Sequence, residues 1–289
     1  MLKVENLSIH FEERGINQEV VRDVSFEIED GEILGLVGES GSGKTMTALT
    51  IAGLKKNHAI LDSGSIWLDD VDLLSLSEKK MRGIQGKDVS MIFQEPMTAL
   101  NPTMRIGKQV EEALVLHTDL SKEGRRKKVV KALEDVELSQ PEILCRKYPH
   151  ELSGGMRQRV MIAAAIVCRP KLLIADEPTT ALDVGTQESI LKLLKKLNKK
   201  YNMGILFISH NLRVVNELCS KVLVMKDGKV LERGLAAEIF ENPRTDYTKE
   251  LIAAIPTRTK ESRFYELLKA KAVEADFKDT KKKAGEENA

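Results

Sequence analysis

Short apolar runs, separated by longer polar stretches, organise most of this chain. The runs at residues 33–37, 172–175 and 204–209 are almost continuously hydrophobic. Such runs are typical of strands in a parallel sheet that is covered on both faces. Residues 88–93 form a fourth run of the same kind, which ends at Gln94. We therefore predict four central strands.

A second pattern, in which hydrophobic and polar residues partly alternate, marks residues 2–11, 20–28 and 62–70. Alternation is typical of strands that have one buried and one exposed face. The residues Gly15, Ile16 and Asn17 favour a turn between the first two segments. We predict that the three segments pair in a small antiparallel layer.

Helical spacing of hydrophobic residues marks several segments between the strands. The clearest case is residues 186–201, whose shared face consists of Ile190, Leu193, Leu194 and Leu197. Because strands and helices alternate, we predict an α/β fold with a mainly parallel sheet and helices on both faces. The other predicted elements are a helix from about 46, a polar connector at 76–86, helices at 106–117, 121–138, 160–167 and 211–219, and strands at 221–225 and 230–232.

The bulk composition argues against several function classes. The 289 residues carry 45 basic and 44 acidic side chains, a net charge of +1, which gives no argument for a nucleic-acid partner. The three cysteines are widely spaced, which argues against a disulfide framework or a zinc site and suits a reducing cytosol. We expect no secretory signal and no membrane span, because no apolar run reaches the ~18–20 residues that a span requires.

Residues 38–45 carry the strongest chemical signal. They read G-x-x-x-x-G-K-T between a predicted strand and a predicted helix, which is the context of a phosphate-binding loop. Glycines let the backbone wrap a triphosphate, and the N–H groups at the helix start favour its negative charge. Lys44 is placed to reach the β- and γ-phosphates, and the Thr45 hydroxyl to bind Mg²⁺. The predicted nucleotide contacts are Gly38, Glu39, Ser40, Gly41, Ser42, Gly43, Lys44, Thr45 and Met46.

Polar residues also stand at the carboxyl ends of other predicted strands, where ligands of parallel sheets bind. Asp176 matches the acidic residue that holds Mg²⁺ in phosphate-loop NTPases, and Glu177 is suited to polarise the attacking water. Gln94 and His210 end two further strands. An Asp-Glu pair after a strand is otherwise an ordinary surface turn. Phe11 lies where a ring could stack on adenine, although a half-buried strand phenylalanine fits equally well.

A second anion-binding loop is indicated by Ser153, Gly154 and Gly155, which open a predicted buried helix. One nucleotide does not need two such cradles on one chain. We therefore expect this loop to face the nucleotide of a second subunit.

Taken in order, these motifs resemble those of the nucleotide-binding subunits of ABC transporters, over roughly residues 1–255. The loop at 38–45 resembles Walker A, Gln94 the Q-loop, 152–156 the signature, 172–177 Walker B, 181–183 the D-loop and His210 the switch histidine.

The resemblance implies a P-loop NTPase (RecA-like) core with a small antiparallel β layer and an inserted helical subdomain at about 95–168. It implies that Gln94 contacts Mg²⁺ and the attacking water, that His210 contacts the γ-phosphate and that Asp183 bridges two subunits. ATP and Mg²⁺ are the expected ligands. The expected catalytic residues are Glu177, His210, Gln94 and Lys44, and the expected metal ligands are Thr45, Gln94 and Asp176.

Three segments, 93–102, 148–152 and 242–249, resemble the oligopeptide, dipeptide and nickel importer subfamily. Its C-terminal extension is matched at about 236–260, within an ATPase domain expected at 1–260. Many peptide-importer subunits carry a cysteine cluster after this extension, whereas no cysteine follows Cys219. No iron–sulfur centre is therefore expected, which weakens the argument for a peptide cargo.

The resemblance further implies partners. Two such subunits would sandwich ATP and move two transmembrane permease subunits, which an extracytoplasmic binding protein supplies with cargo. The chain would lie peripherally on the cytoplasmic face of the membrane. The expected cargo is a di- or oligopeptide. The alternatives are a nickel or metal-complex importer and a soluble ABC ATPase of a cytosolic assembly.

The charged segment 261–289 carries seven basic and seven acidic residues, and we expect it to be partly disordered.

Overall fold

The computed structural model describes residues 1–13, 16–54, 58–93, 99–180 and 182–254. The strands in these ranges are β1 (Leu2–Glu13), β2 (Ile16–Ile28), β3 (Ile33–Val37), β4 (Ala59–Leu68), β5 (Val71–Asp72), β6 (Val89–Ile92), β7 (Leu172–Asp176), β8 (Gly204–Ser209), β9 (Lys221–Lys226) and β10 (Lys229–Leu235). The helices are α1 (Lys44–Ile51), α2 (Glu78–Arg82), α3 (Ile106–His117), α4 (Lys122–Asp135), α5 (Pro141–Leu144), α6 (Gly154–Ile166), α7 (Val184–Tyr201), α8 (Leu212–Leu218), α9 (Ala236–Glu241) and α10 (Asp246–Ala253).

A six-stranded sheet forms the centre of the fold, in the order β10-β9-β3-β8-β7-β6. Its strand pairs are parallel, except that β10 runs antiparallel to β9. Every residue of β3, β7 and β8 is buried, as expected of strands that helices cover on both sides. The predicted mainly parallel sheet is confirmed.

The predicted antiparallel layer is also present, as a sheet in the order β2-β1-β4-β5. The turn prediction, however, was wrong for Ile16 and Asn17, which lie in β2 and pair with Glu13 and Glu12. The ribbon of β1 and β2 extends further than the alternation indicates, because backbone pairing continues through polar residues that face solvent.

In the described part of the chain between β6 and β7 lie the helices α3 to α6. Helix α4 ends at Asp135, earlier than the predicted residue 138, because Glu137 adopts a left-handed backbone with φ of 60°. Asp135 accepts hydrogen bonds from the Lys200 ammonium, at 2.5 Å, and from the Tyr201 hydroxyl. Arg159 of α6 donates to Ser189 of α7 at 2.7 Å. Hydrogen bonds thus connect α4 and α6 to α7.

Two further expectations concern the ends of the fold. Residues 1–252 form one unit by their contacts. The expected tail at 261–289 lies outside the described residues, and so does the end of the expected C-terminal extension. Gln94 and Ala181 also lie outside them. No helix in the described ranges is long and apolar enough to cross a membrane.

Candidate nucleotide site

Strand register brings the predicted site residues to one edge of the central sheet. Val37, the last residue of β3, pairs with Ser209 of β8, and Asp176 of β7 pairs with Ile208. Because these strands are parallel, the residues that follow them lie side by side. The residues that meet at this carboxyl edge are Gly38, Asp176, Glu177 and His210.

The loop at 38–45 is closely enclosed by the backbone of other segments. Gly38 has a φ of 153°, and a Cβ at this position would lie 2.0 Å from the Met225 carbonyl oxygen. Gly43, the residue before α1, has a φ of 100°, and its Cβ would lie 2.4 Å from the Val20 carbonyl oxygen. Only glycine fits at both positions, since other residues would add backbone strain and a clash.

Lys44 folds back over this loop. Its ammonium nitrogen donates to the carbonyl oxygens of Gly38, at 2.8 Å, and Glu39, at 2.7 Å, and to the Ser42 hydroxyl at 3.2 Å. Burial lowers the pKa of Lys44, while the carboxylates of Glu177, Asp176 and Glu39 act in the opposite direction. The side chain is only 5% exposed. A buried cation is thus held at the centre of the predicted phosphate cradle.

Thr45 and Asp176 supply the oxygen atoms that suit a magnesium ion. The Thr45 hydroxyl lies 3.5 Å from Asp176 Oδ1, although the two residues are far apart in sequence. Hydroxyl and carboxylate oxygens fit Mg²⁺, which takes one or two protein ligands together with phosphate oxygens and water. The described residues contain no cluster of three or more His, Cys, Asp or Glu that could hold a metal alone. The donor set therefore fits an ion that arrives with a nucleotide.

Glu177 adopts a left-handed backbone, with φ of 47°, directly after β7. Such a conformation is uncommon for residues other than glycine and is often found at functional sites. The Glu177 amide donates to the Ile208 carbonyl oxygen at 3.0 Å, so the bend that the chain makes at Glu177 is hydrogen-bonded to β8. Its Oε2 lies 3.1 Å from His210 Nδ1 and accepts a hydrogen bond from the Thr180 hydroxyl at 2.9 Å.

The second predicted anion loop starts helix α6. The Ser153 hydroxyl accepts a hydrogen bond from the Met156 amide at 3.4 Å and so caps the helix, while a Cβ on Gly154 would meet no atom within 4 Å. A Cβ on Gly155 would lie 2.9 Å from Thr186 Cγ2. The starts of α6 and α7 therefore lie against each other.

Asp183 caps the start of α7. Its carboxylate accepts hydrogen bonds from the Thr186 amide, at 2.9 Å, and from the Thr186 hydroxyl, at 2.7 Å. These bonds hold the pKa of Asp183 below its usual range. The structure thus places this predicted residue next to the second anion loop of the same chain.

The remaining predicted residues differ in position. Glu39, Ser40, Gly41 and Thr45 are exposed, whereas Met46 lies in the hydrophobic core, so a nucleotide would reach only its backbone. Phe11 is partly buried and packs against the same core, and its stacking on adenine stays a prediction. Gln94 lies outside the described residues.

Sequence reasoning did not assign a role at this site to Thr180 or Tyr247. Thr180 contacts Glu177, and the Tyr247 hydroxyl accepts a hydrogen bond from the Glu39 amide at 3.0 Å. No local pattern indicates the second contact, since the two residues stand 208 positions apart.

Comparison with known proteins agrees with this geometry. A profile of the ABC transporter family matches residues 21–180. The oligopeptide transport ATP-binding protein OppD of Bacillus subtilis is 48% identical over 258 residues, which are 89% of this chain and 72% of that protein. The dipeptide transport ATP-binding protein DppD of Haemophilus influenzae is 45% identical over 256 residues, which are 89% of this chain and 78% of that protein.

Two solved structures resemble the fold. The ATP-binding cassette MJ0796, as a dimer in a post-hydrolysis state with ADP and Pi, aligns with a TM-score of 0.73 and 29% identity, over 82% of this chain and 99% of that one. The cbiO1 protein of Clostridium perfringens, part of an ABC transporter complex, aligns with a TM-score of 0.72 and 29% identity, over 93% of this chain and 98% of that one. The chain therefore belongs to the ABC transporter family, as an ATP-binding, ATP-hydrolysing cassette.

Proposed function

We propose that this cassette hydrolyses magnesium-bound ATP at the carboxyl edge of the central sheet and thereby powers the import of di- or oligopeptides. The assignment of residues rests on their convergence, since Lys44, Thr45, Asp176, Glu177 and His210 come from three separate segments and meet at one edge of the sheet. Such a set of charged and polar groups fits phosphoryl transfer, in which positioning and electrostatic stabilisation supply most of the catalysis.

Each residue has a proposed role in that reaction. Lys44 would leave the Gly38 and Glu39 carbonyl oxygens and donate to the β- and γ-phosphates. Thr45 and Asp176, with Gln94, would hold Mg²⁺, which neutralises phosphate charge when bound. Glu177 would accept a proton from the attacking water. His210, now beside Glu177, would donate to the γ-phosphate.

A second ATPase subunit completes the proposed site. The Ser153 loop and Asp183 lie together at the starts of α6 and α7, and Val184 beside them is 80% exposed. An exposed valine next to two helix starts suits a surface that a partner covers. The similar cassette MJ0796 is a dimer bound to ADP and Pi, which supports pairing of this chain with a second cassette.

Two transmembrane permease subunits are the proposed recipients of the motion, with an extracytoplasmic binding protein acting through them. On this proposal the chain lies on the cytoplasmic face of the membrane. The helices between β6 and β7 expose Val115 and Leu116, which are 54% and 71% accessible at the end of α3. These exposed apolar side chains support contact between the end of α3 and another protein.

A peptide cargo is supported by the names of the relatives, which are oligopeptide and dipeptide transport proteins at 45–48% identity. A nickel or metal-complex importer is the second candidate, because residues 93–102, 148–152 and 242–249 resemble a subfamily that also includes nickel importers.

Uptake by proteoliposomes tests the proposal. The vesicles would hold this protein with its co-purifying membrane chains and binding protein, and labelled short peptides and Ni²⁺ would be offered in parallel with ATP on the protein's side. We expect peptide uptake that disappears with Glu177→Gln. Nickel uptake alone would move the assignment to metal import, and the failure of any membrane chain to co-purify would favour a soluble assembly.

A further inference from the structure

Helix α10, the last helix in the described residues, reaches the phosphate loop through one side chain. The Tyr247 hydroxyl accepts a hydrogen bond from the Glu39 amide at 3.0 Å, and Tyr247 is only 7% exposed. Burial raises the pKa of this phenol, so it remains neutral at physiological pH. The contact therefore joins α10 to the start of the predicted ATP cradle.

The peptide bond between Gly38 and Glu39 is held from both sides. Its N–H group donates to Tyr247, and its carbonyl oxygen, that of Gly38, accepts from the Lys44 ammonium at 2.8 Å. Because a peptide unit is planar, the direction of its N–H group fixes the direction of its carbonyl group. Tyr247 thus determines where one of the acceptors of Lys44 points.

This peptide unit needs an external restraint, because Gly38 adds no side chain that would limit its rotation. Its φ of 153° is accessible mainly to glycine. On the opposite side of the loop, the Gly228 amide donates to the Ser42 carbonyl oxygen at 3.1 Å. The loop is therefore held near its start by Tyr247 and further along by the turn that joins β9 and β10.

Tyr247 is itself fixed in place by strands β9 and β10. The Lys226 ammonium lies 4.4 Å from the centroid of its ring. The buried Glu232 carboxylate accepts hydrogen bonds from the amides of Arg244, at 2.8 Å, and Thr245, at 3.1 Å, directly before α10. Although burial acts in the opposite direction, the hydrogen bonds from this segment and from Thr248 hold the pKa of Glu232 below its usual range. The phenol is thus presented to the loop by a rigid support.

We propose that Tyr247 is a positioning residue of the phosphate loop, which sets the orientation of the Gly38–Glu39 peptide and, through it, the position of Lys44 and the affinity for ATP. This inference rests on the proposed role of residues 38–45 as the ATP cradle. It gives the C-terminal extension a task in the ATPase cycle, in addition to any contact with other subunits.

The test compares Tyr247→Phe with Tyr201→Phe in the full-length chain. The first variant keeps the ring and its contact with Lys226 but loses the acceptor of the Glu39 amide. The second also loses a half-buried phenol hydrogen bond, to Asp135, at a position unrelated to the loop. Direct binding of ATP and ADP by calorimetry, the KM and kcat of ATP hydrolysis, and the melting temperature would be measured for both.

We expect Tyr247→Phe to raise the Kd for ATP and the KM by about 3- to 10-fold, which corresponds to one hydrogen bond, with a smaller change in kcat. Tyr201→Phe should lower the melting temperature and leave the Kd unchanged. An unchanged Kd in Tyr247→Phe, or equal shifts in both variants, would overturn the inference. Wild-type protein that bound no ATP would instead overturn the proposed cradle itself, which the same calorimetry detects before any variant is compared.

Discussion

His210 Nδ1 lies 3.1 Å from Glu177 Oε2, the oxygen that also accepts the Thr180 hydroxyl. The proposed general base and the proposed γ-phosphate ligand are therefore in contact with each other in the structure. The contact uses only one carboxylate oxygen and one imidazole nitrogen, so it does not by itself prevent Glu177 from activating water or His210 from contacting phosphate.

Replacement of Glu177 by Gln is expected to stop turnover without loss of ATP binding. The amide oxygen can still accept from Thr180, so the local geometry is retained, but the side chain no longer accepts a proton. Loss of a general base lowers kcat by roughly 10²- to 10⁴-fold. Phosphate release and ATP binding would be measured on the same preparation. Hydrolysis near the wild-type rate would refute the assigned role.

Replacement of Lys44 by Ala is expected to weaken ATP binding by about 10- to 100-fold, because charged hydrogen bonds to phosphate are lost. Lys192→Ala is the matched control, since Lys192 is an exposed lysine of α7 that pairs with Glu188 at 2.6 Å. Equilibrium binding of a fluorescent ATP analogue measures both. Equal affinities of the two variants would contradict the phosphate-loop assignment.

A comparison of Gly38→Ala with Gly41→Ala distinguishes two ways in which a side chain can destabilise the loop, a steric clash and backbone strain. Both glycines have positive φ, but a Cβ on Gly41 meets no atom within 4 Å, whereas one on Gly38 would lie 2.0 Å from the Met225 carbonyl oxygen. We expect Gly41→Ala to lower the free energy of unfolding by about 1–2 kcal/mol. Gly38→Ala should lower it by about 2–5 kcal/mol, since overpacking adds to the strain. Urea denaturation measures both, and equal losses would mean that the loop relaxes away from β9.

Asp183→Ala and Asp183→Asn distinguish helix capping from a role between subunits. Asparagine caps a helix as well as aspartate, whereas alanine does not. We expect Asp183→Ala to lower the melting temperature by about 2–4 °C and Asp183→Asn to leave it unchanged. Slower ATP hydrolysis by Asp183→Asn at unchanged stability would support the proposed bridge between subunits. A melting temperature of Asp183→Ala equal to that of the wild type would argue against the cap.

The contact of Asp135 with α7 predicts an acid-sensitive stability. Although burial opposes the shift, hydrogen bonds from Lys200 and Tyr201 hold the pKa of Asp135 below its ordinary value of 3.8. A depressed pKa contributes stability that is fully present above the ordinary value and is lost as the pH falls through the lower, folded-state value. At pH 7 we expect Asp135→Asn to be less stable than the wild type by about 1–3 kcal/mol.

This difference between Asp135→Asn and the wild type should shrink as the pH falls below about 4. Denaturation curves of both proteins between pH 7 and pH 3 measure it. Because other carboxylates titrate in both proteins, the difference between the curves is the relevant quantity. A difference that is constant with pH would assign the effect to packing and not to the charge of Asp135.

The positions of most site residues can be predicted from the local sequence. The remaining contacts depend on how distant strands and helices pair and pack. The runs at 33–37, 172–175 and 204–209 predict the buried strands, because continuous hydrophobicity in so short a segment fits few other structures. They also place Gly38 and Asp176 correctly at the ends of strands. The contact between Tyr247 and Glu39 could not be predicted, since it depends on how α10 packs against β9 and β10. The bend at Glu177 likewise follows from pairing with β8 and not from its own residue type.

The strand order has a consequence for how the protein forms during synthesis. Both neighbours of β3 come late in the chain, since Ile33 pairs with Ile205 and Leu34 with Lys221. The segment that leads into the phosphate loop therefore leaves the ribosome long before its two partner strands exist, whereas β1 and β2 pair locally and early. Distant pairings of this kind form slowly, because a large loop has to close first. ATP can consequently stabilise the fold only after β7 and β8 have joined β3, because Asp176, Glu177 and His210 follow those two strands.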